Sequence, residues 1–80
     1  MRLDKYLKVS RLIKRRTIAN EACDAGRVFV NDKVVKASYD VKVGDKITIV
    51  FGNKESKVEV LSIVDVIRKE EAENMYKFIN

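Results

Sequence analysis

Seven cations crowd the first sixteen residues: Arg2, Lys5, Lys8, Arg11, Lys14, Arg15 and Arg16, against Asp4 alone. That segment carries a net +6, whereas residues 17–80 hold ten Lys and Arg against eleven Asp and Glu, a net −1. The whole chain has 17 basic and 12 acidic side chains and a formal charge of +5. Its positive charge therefore belongs to one end. Concentrated cations make a local field that draws a polyanion, and each phosphate they neutralise releases counterions. Arg2, Arg11, Arg15 and Arg16 can grip a phosphate in two places, or lay a flat guanidinium on an exposed base. Lys5, Lys8 and Lys14 act as point charges, and Thr17 adds a hydroxyl donor. The bland alternative is that these charges only solvate two short helices. Asp4 reads as an orienting partner for Arg2, Lys8 or Arg11 rather than as a catalytic acid, because no second acid cluster or histidine accompanies it.

The rest of the chemical inventory is thin. There is no histidine, and Cys23 is the only cysteine. An intrachain disulfide and a cysteine-based zinc cluster are both impossible, and most routes to nucleophilic or acid–base catalysis are missing. Cys23 reads as a small buried filler. No catalytic residue, metal or cofactor is expected. No apolar run approaches the roughly 18 residues of a membrane span, and no apolar signal core follows the basic N-terminus. These features predict a soluble, cytoplasmic protein without a membrane partner, and a monomer at this size.

Eighty residues suffice for one domain. Arg2 to about Val9 reads as a helix, with Leu3 and Leu7 on one face and Arg2, Lys5 and Lys8 stepping by three along another. Arg11–Lys14 is a corner with Leu12 and Ile13 turned inward. A second helix runs from about Arg15 to Ala25 and ends at Gly26. Leu3, Leu7, Leu12 and Ile18 are expected to pack the two helices together, so that their other faces form one cationic surface. The start of the second helix would add free N–H groups to it.

After Gly26 the period changes to two. Val28 and Val30 share a face, and Asn31-Asp32 is a turn. Ile47, Ile49 and Phe51 alternate after Gly44-Asp45, and Val58 and Val60 return after a polar turn at residues 52–55. From about Ile67, the residues Ala72, Met75, Tyr76 and Ile79 fit an amphipathic helix with acids near its start. The fold class is α+β: two N-terminal helices on a small, bent, mostly antiparallel sheet, with a short C-terminal helix. Tyr6 reads first as helix packing and second as a base-stacking ring. Arg27, Lys33 and Lys36 are secondary candidates to extend the basic surface.

Three motifs occur in order. Arg2-Leu3-Asp4-Lys5-Tyr6-Leu7 resembles the Arg-Leu-Asp-Lys-Phe-Leu opening of the S4 RNA-binding domain. Ala25-Gly26-Arg27-Val28-Phe29-Val30-Asn31, after Arg15-Arg16, resembles its Ala-Gly-Arg-Val-x-Val-Asn-Gly segment. Val43-Gly44-Asp45-x-Ile47 resembles its Gly-Asp-x-Ile strand entry. The resemblance covers about residues 1–52 and implies the S4-like (αL) fold, with RNA bound chiefly on the helical face. Residues 53–80 would then supply the hairpin's return strand and the C-terminal amphipathic helix that complete the same domain. Asp32 departs from the pattern, which often has Gly there. The stretches at residues 12–17 and 21–26 are similar to the heat-shock protein 15 group, above all to its short members in ribosome-associated quality control. That likeness implies contact with large-subunit rRNA and with the peptidyl-tRNA left on stalled, dissociated large ribosomal subunits. It also implies help to the factor that adds a C-terminal alanine tail to the nascent chain. Two other readings stay open: an RNA-targeting domain of an RNA-modifying enzyme, and a general nucleic-acid- or ribosome-binding protein.

Overall fold

The structure, a computed structural model, describes residues 1–65 and 68–79. Leu3–Val9 forms α1 and Arg16–Asp24 forms α2. Leu3, Tyr6 and Leu7 are spaced three and four apart, as one helix face requires, and all are fully buried. Neither helix has a side-chain cap at its N-cap residue. In α1 distant carbonyls do that work. The Leu3 N–H donates to the Tyr39 carbonyl at 2.8 Å, and the Asp4 N–H to that of Ala37 at 3.2 Å. At the other end Arg11 takes φ 65, the left-handed position that usually falls to glycine after a helix. Its N–H donates to the Lys8 carbonyl and the Ile13 N–H to that of Leu7. The chain thus turns at once, and Ile13 enters the core.

α2 buries Ala19, Ala22 and Cys23. Such small side chains let the two helices approach closely. Ile18, expected in that interface, is 42% exposed. The stripe made by Ala19, Ala22 and Cys23 is narrow, and Ile18 falls one step round the helix beyond it.

The strands are β1 (Val28–Val30), β2 (Lys33–Val34), β3 (Lys46–Phe51), β4 (Lys54–Val60) and β5 (Tyr76–Phe78). They form one antiparallel sheet in the order β2-β1-β3-β4-β5. Val28, Val30, Ile47, Ile49, Val58 and Val60 join the helices in one apolar core. Val30 pairs with Lys33, so Asn31 and Asp32 are a two-residue hairpin loop, both with positive φ. That is the turn whose twist suits a hairpin and which Asn-Gly favours. Asn31 then ties the turn to the start of β3. Its Nδ2 donates to Asp45 Oδ1 at 3.2 Å, and its Oδ1 accepts from the Lys46 N–H at 3.1 Å. Asp45 also accepts from the Tyr39 hydroxyl and the Lys42 N–H. The Val-Asn and Gly-Asp motifs, far apart in sequence, are two sides of this one network.

The C-terminal helix is a 3-10 helix, Lys69–Met75. Ile67, near which the sequence would start it, lies outside the described residues. Ala72 and Met75 are both buried and three apart, which suits three residues per turn. The expected stripe does not run on through Tyr76 and Ile79. Tyr76 and Phe78 belong to β5 instead, opposite Val60 and Val58. A seven-residue helix has little stability of its own, whereas pairing with β4 gives the next three residues a ladder.

Candidate nucleic-acid interface

Asp4, the second residue of α1, is 3% exposed and sits among cations. Its Oδ1 accepts from the Lys5 N–H at 2.8 Å, from Arg2 Nε at 3.2 Å and from Arg16 Nη2 at 3.4 Å. Its Oδ2 accepts from Arg2 Nη2 at 3.4 Å and Asn20 Nδ2 at 3.2 Å. Burial by itself would push this carboxyl up. The hydrogen bonds from Arg2, Asn20 and Arg16, with the Arg16 charge, outweigh burial and hold it below its ordinary value. It is therefore an ionised anchor. It holds one arginine from the start of α1 and one from the start of α2, while both guanidinium side chains stay about half exposed, at 51% and 48%. Tethered in this way, the arginines keep donors facing outward with less freedom to lose on binding.

The beginning of α2 adds to the pair. Its first N–H to bond back is that of Ala19, to the Arg15 carbonyl. The N–H groups of Arg16, Thr17 and Ile18 have no partner among the described residues, and Thr17 is exposed. Two clefts meet at Asn20. One, of about 370 Å³, is lined by Asp4, Arg16, Thr17, Asn20 and Glu21. The other, of about 610 Å³, lies between α2 and residues 34–38 and includes Arg2, Asn20, Val34, Lys36 and Ser38.

The remaining candidates divide. Lys8, Arg11, Lys14 and Arg15 are exposed, and no ion pair holds them among the described residues. Lys5 is turned to Asp65, at 3.1 Å, so part of its charge is spent within the molecule. Lys36 shares the larger cleft with Arg2. Arg27 lines a separate recess of about 250 Å³ with Ile18, Glu21 and Phe51. Lys33 is on the edge strand β2. Tyr6 is a correction: it is fully buried, and its hydroxyl donates to the Met75 carbonyl at 2.8 Å, so its ring cannot stack on a base. Burial, with the Asp4 and Asp24 charges, pushes the Cys23 thiol up to about 11, as befits a packing residue.

Asp4 was expected to orient Arg2, Lys8 or Arg11. It holds Arg2, but its other partners are Arg16 and Asn20. The sequence did carry a signal for them: Arg16 and Asn20 are four apart, hence on one face of α2. What it lacked was the rotation that turns this face toward α1. No helix among the described residues is long and apolar enough to cross a membrane.

The model of the S4 domain family matches residues 1–47. A Bacillus subtilis protein described as an RQC P-site tRNA stabilizing factor is 56% identical over 79 residues, covering 99% of this chain and 92% of that protein. A heat shock protein 15 homolog of Haemophilus influenzae is 33% identical, over 96% of this chain and 60% of that protein. Among solved structures, the trimeric heat shock protein 15 of Vibrio cholerae superposes with a TM-score of 0.91 at 32% identity, covering 99% of this chain and 81% of that one.

Proposed function

This chain belongs to the S4-domain family that includes heat shock protein 15 and the RQC P-site tRNA stabilizing factors, and from that premise we propose that it steadies a peptidyl-tRNA on the large ribosomal subunit. The chain is an RNA- and ribosome-binding factor of that family, not an enzyme. In the proposed role it acts in the cytoplasm, on large subunits dissociated from a stalled ribosome. Large-subunit rRNA and the tRNA are bound together, so the tRNA stays in place while the alanine-tailing factor extends the nascent chain. Off the ribosome the protein is a monomer. The RNA-binding residues are Arg2, Arg16 and Thr17 at the centre, with Lys8, Arg11, Lys14 and Arg15 around them and Lys5 and Lys36 at the margins.

The observation that carries this reading is the Asp4 node. A buried carboxylate that grips two half-exposed arginines from different helices is poorly explained by solubility alone. It makes a fixed pair of donors, beside free N–H groups at the start of α2, matched to sugar-phosphate. Arg16→Ala is expected to preserve the circular dichroism of the fold. It should weaken co-sedimentation with large subunits bearing peptidyl-tRNA by at least about tenfold, the size of one charge-assisted hydrogen bond. Unchanged co-sedimentation would refute the site.

A further inference from the structure

Asn20 is the one member of the node that offers an acceptor to the outside. Asp4, when ionised, has only acceptors, so the atom of Asn20 that faces it at 3.2 Å must be the amide nitrogen. This settles the orientation of the amide and leaves Oδ1 as its other end. Oδ1 has no partner among the described residues, and it is not among buried polar atoms lacking one, so it reaches solvent. Asn20 lines both clefts, and in the larger one it stands with Arg2, Lys36 and Ser38, with the exposed Asp24 carboxylate one turn further along α2. That cleft is open to solvent, and its volume of about 610 Å³ falls within the roughly 300–1,000 Å³ range of small-ligand sites.

A phosphodiester has no hydrogen to donate. It can bind Arg2, Arg16 or Lys36, but it gains nothing from an amide oxygen. The groups of a nucleotide that can use Asn20 Oδ1 are the ribose 2′-hydroxyl and the N–H groups of a base. We infer that the cleft between α2 and residues 34–38 takes a single RNA nucleotide, with Asn20 Oδ1 accepting a hydrogen bond from its O–H or N–H while Arg2 and Lys36 hold the flanking phosphates. The inference rests on the RNA-binding reading above and adds to it a specificity-determining residue. The arginines supply affinity for any nucleic-acid backbone. Asn20 makes the surface prefer a nucleotide that presents a donor at that point.

The test uses one hairpin RNA with a single-stranded loop, in three versions: unmodified, with deoxyribose in the loop, and with ribose but abasic in the loop. Wild type is expected to bind one of the two altered probes about fivefold more weakly than the unmodified one, the usual worth of a neutral hydrogen bond. Loss on the deoxyribose probe identifies the sugar as donor, and loss on the abasic probe identifies the base. Asn20→Ala should weaken the unmodified probe by about the same factor and abolish the difference between probes. Asn20→Lys provides a control for folding, because it can still donate to Asp4 but has no acceptor. It too should lose the discrimination. If either variant discriminates among the probes as wild type does, or if wild type binds all three alike, the subsite is wrong. Arg16→Ala, measured alongside, separates the two levels: its loss of binding to every probe sustains the RNA reading even when the subsite fails, and its indifference removes both.

Discussion

A carboxylate within a cationic surface can cancel charge or arrange it, and the geometry at Asp4 decides for the second. Its five hydrogen bonds among the described residues come from four side chains or backbone groups, and two of those donors are arginines whose remaining surface is open. One negative charge is lost from the field, but two guanidinium groups become fixed. Arg11 poses a related problem. It holds φ 65 without being glycine, a position that costs an L-residue roughly 1–2 kcal/mol. Strain retained at an exposed cation points to a use for the side chain. Arg11→Gly is therefore expected to stabilise the fold by about 1 kcal/mol, raising the melting temperature by about 5 °C for a domain of this size, and at the same time to weaken RNA binding. Thermal unfolding and filter binding on the same variant check both signs. A loss of stability would mean that the Arg11 side chain is structural. The sequence showed the cations and singled out Asp4. It did not show which arginines the aspartate would hold, because that depends on how far α2 is rotated about its own axis.

The N-terminal elements were legible because each declares itself locally: Leu3 and Leu7 repeat at helical spacing, Gly26 stops a helix, and Ile47 and Ile49 alternate. The C-terminal segment was less so. Ala72, Met75, Tyr76 and Ile79 fit a helical stripe, yet Tyr76 and Phe78 equally fit a strand, and only β4 as a neighbour settles the matter. Met75 is where the two states meet. Its carbonyl accepts from the Tyr6 hydroxyl at 2.8 Å and from the N–H groups of Leu61 at 2.7 Å and Ser62 at 3.2 Å. One atom thus joins α1, the end of β4 and the last turn of the 3-10 helix. Tyr6→Phe keeps the ring and removes one of the three donors. The carbonyl stays satisfied by the other two, so the cost is that of a single hydrogen bond, about 1 kcal/mol. The expected result is a melting temperature lower by about 5 °C with RNA affinity unchanged. Reduced affinity at full occupancy of the folded state would show that the C-terminal elements position the basic face.

On the scale of the whole molecule, charge is sorted between two surfaces. The helical end carries the cations of residues 2–16, most of them without an ion-pair partner among the described residues. The sheet face turned away from the helices mixes the two signs, with Lys46, Lys57 and Lys77 beside Glu55 and Glu59. Lys46, Glu59 and Lys77 lie opposite one another across β3, β4 and β5, and Lys57 stands near Asp32 at 3.8 Å. Strand pairing favours this mixing of signs, since like charges directly across a ladder repel. It also predicts which lysines count. A cation that neutralises a phosphate steepens the fall of log K with log salt by roughly 0.7–0.9, whereas one already balanced across a strand releases few counterions. Replacing Lys8 and Lys14 together by alanine should make that slope shallower by about 1.5, while replacing Lys46 and Lys77 together should leave it within about 0.3. Both variants lower the net charge by two, so a purely global attraction between a +5 protein and RNA would treat them alike. Equal slopes would mean that net charge rather than the helical face governs binding. Unequal slopes in the expected order would place the phosphates over the helices, where Asp4 has already aligned Arg2 and Arg16.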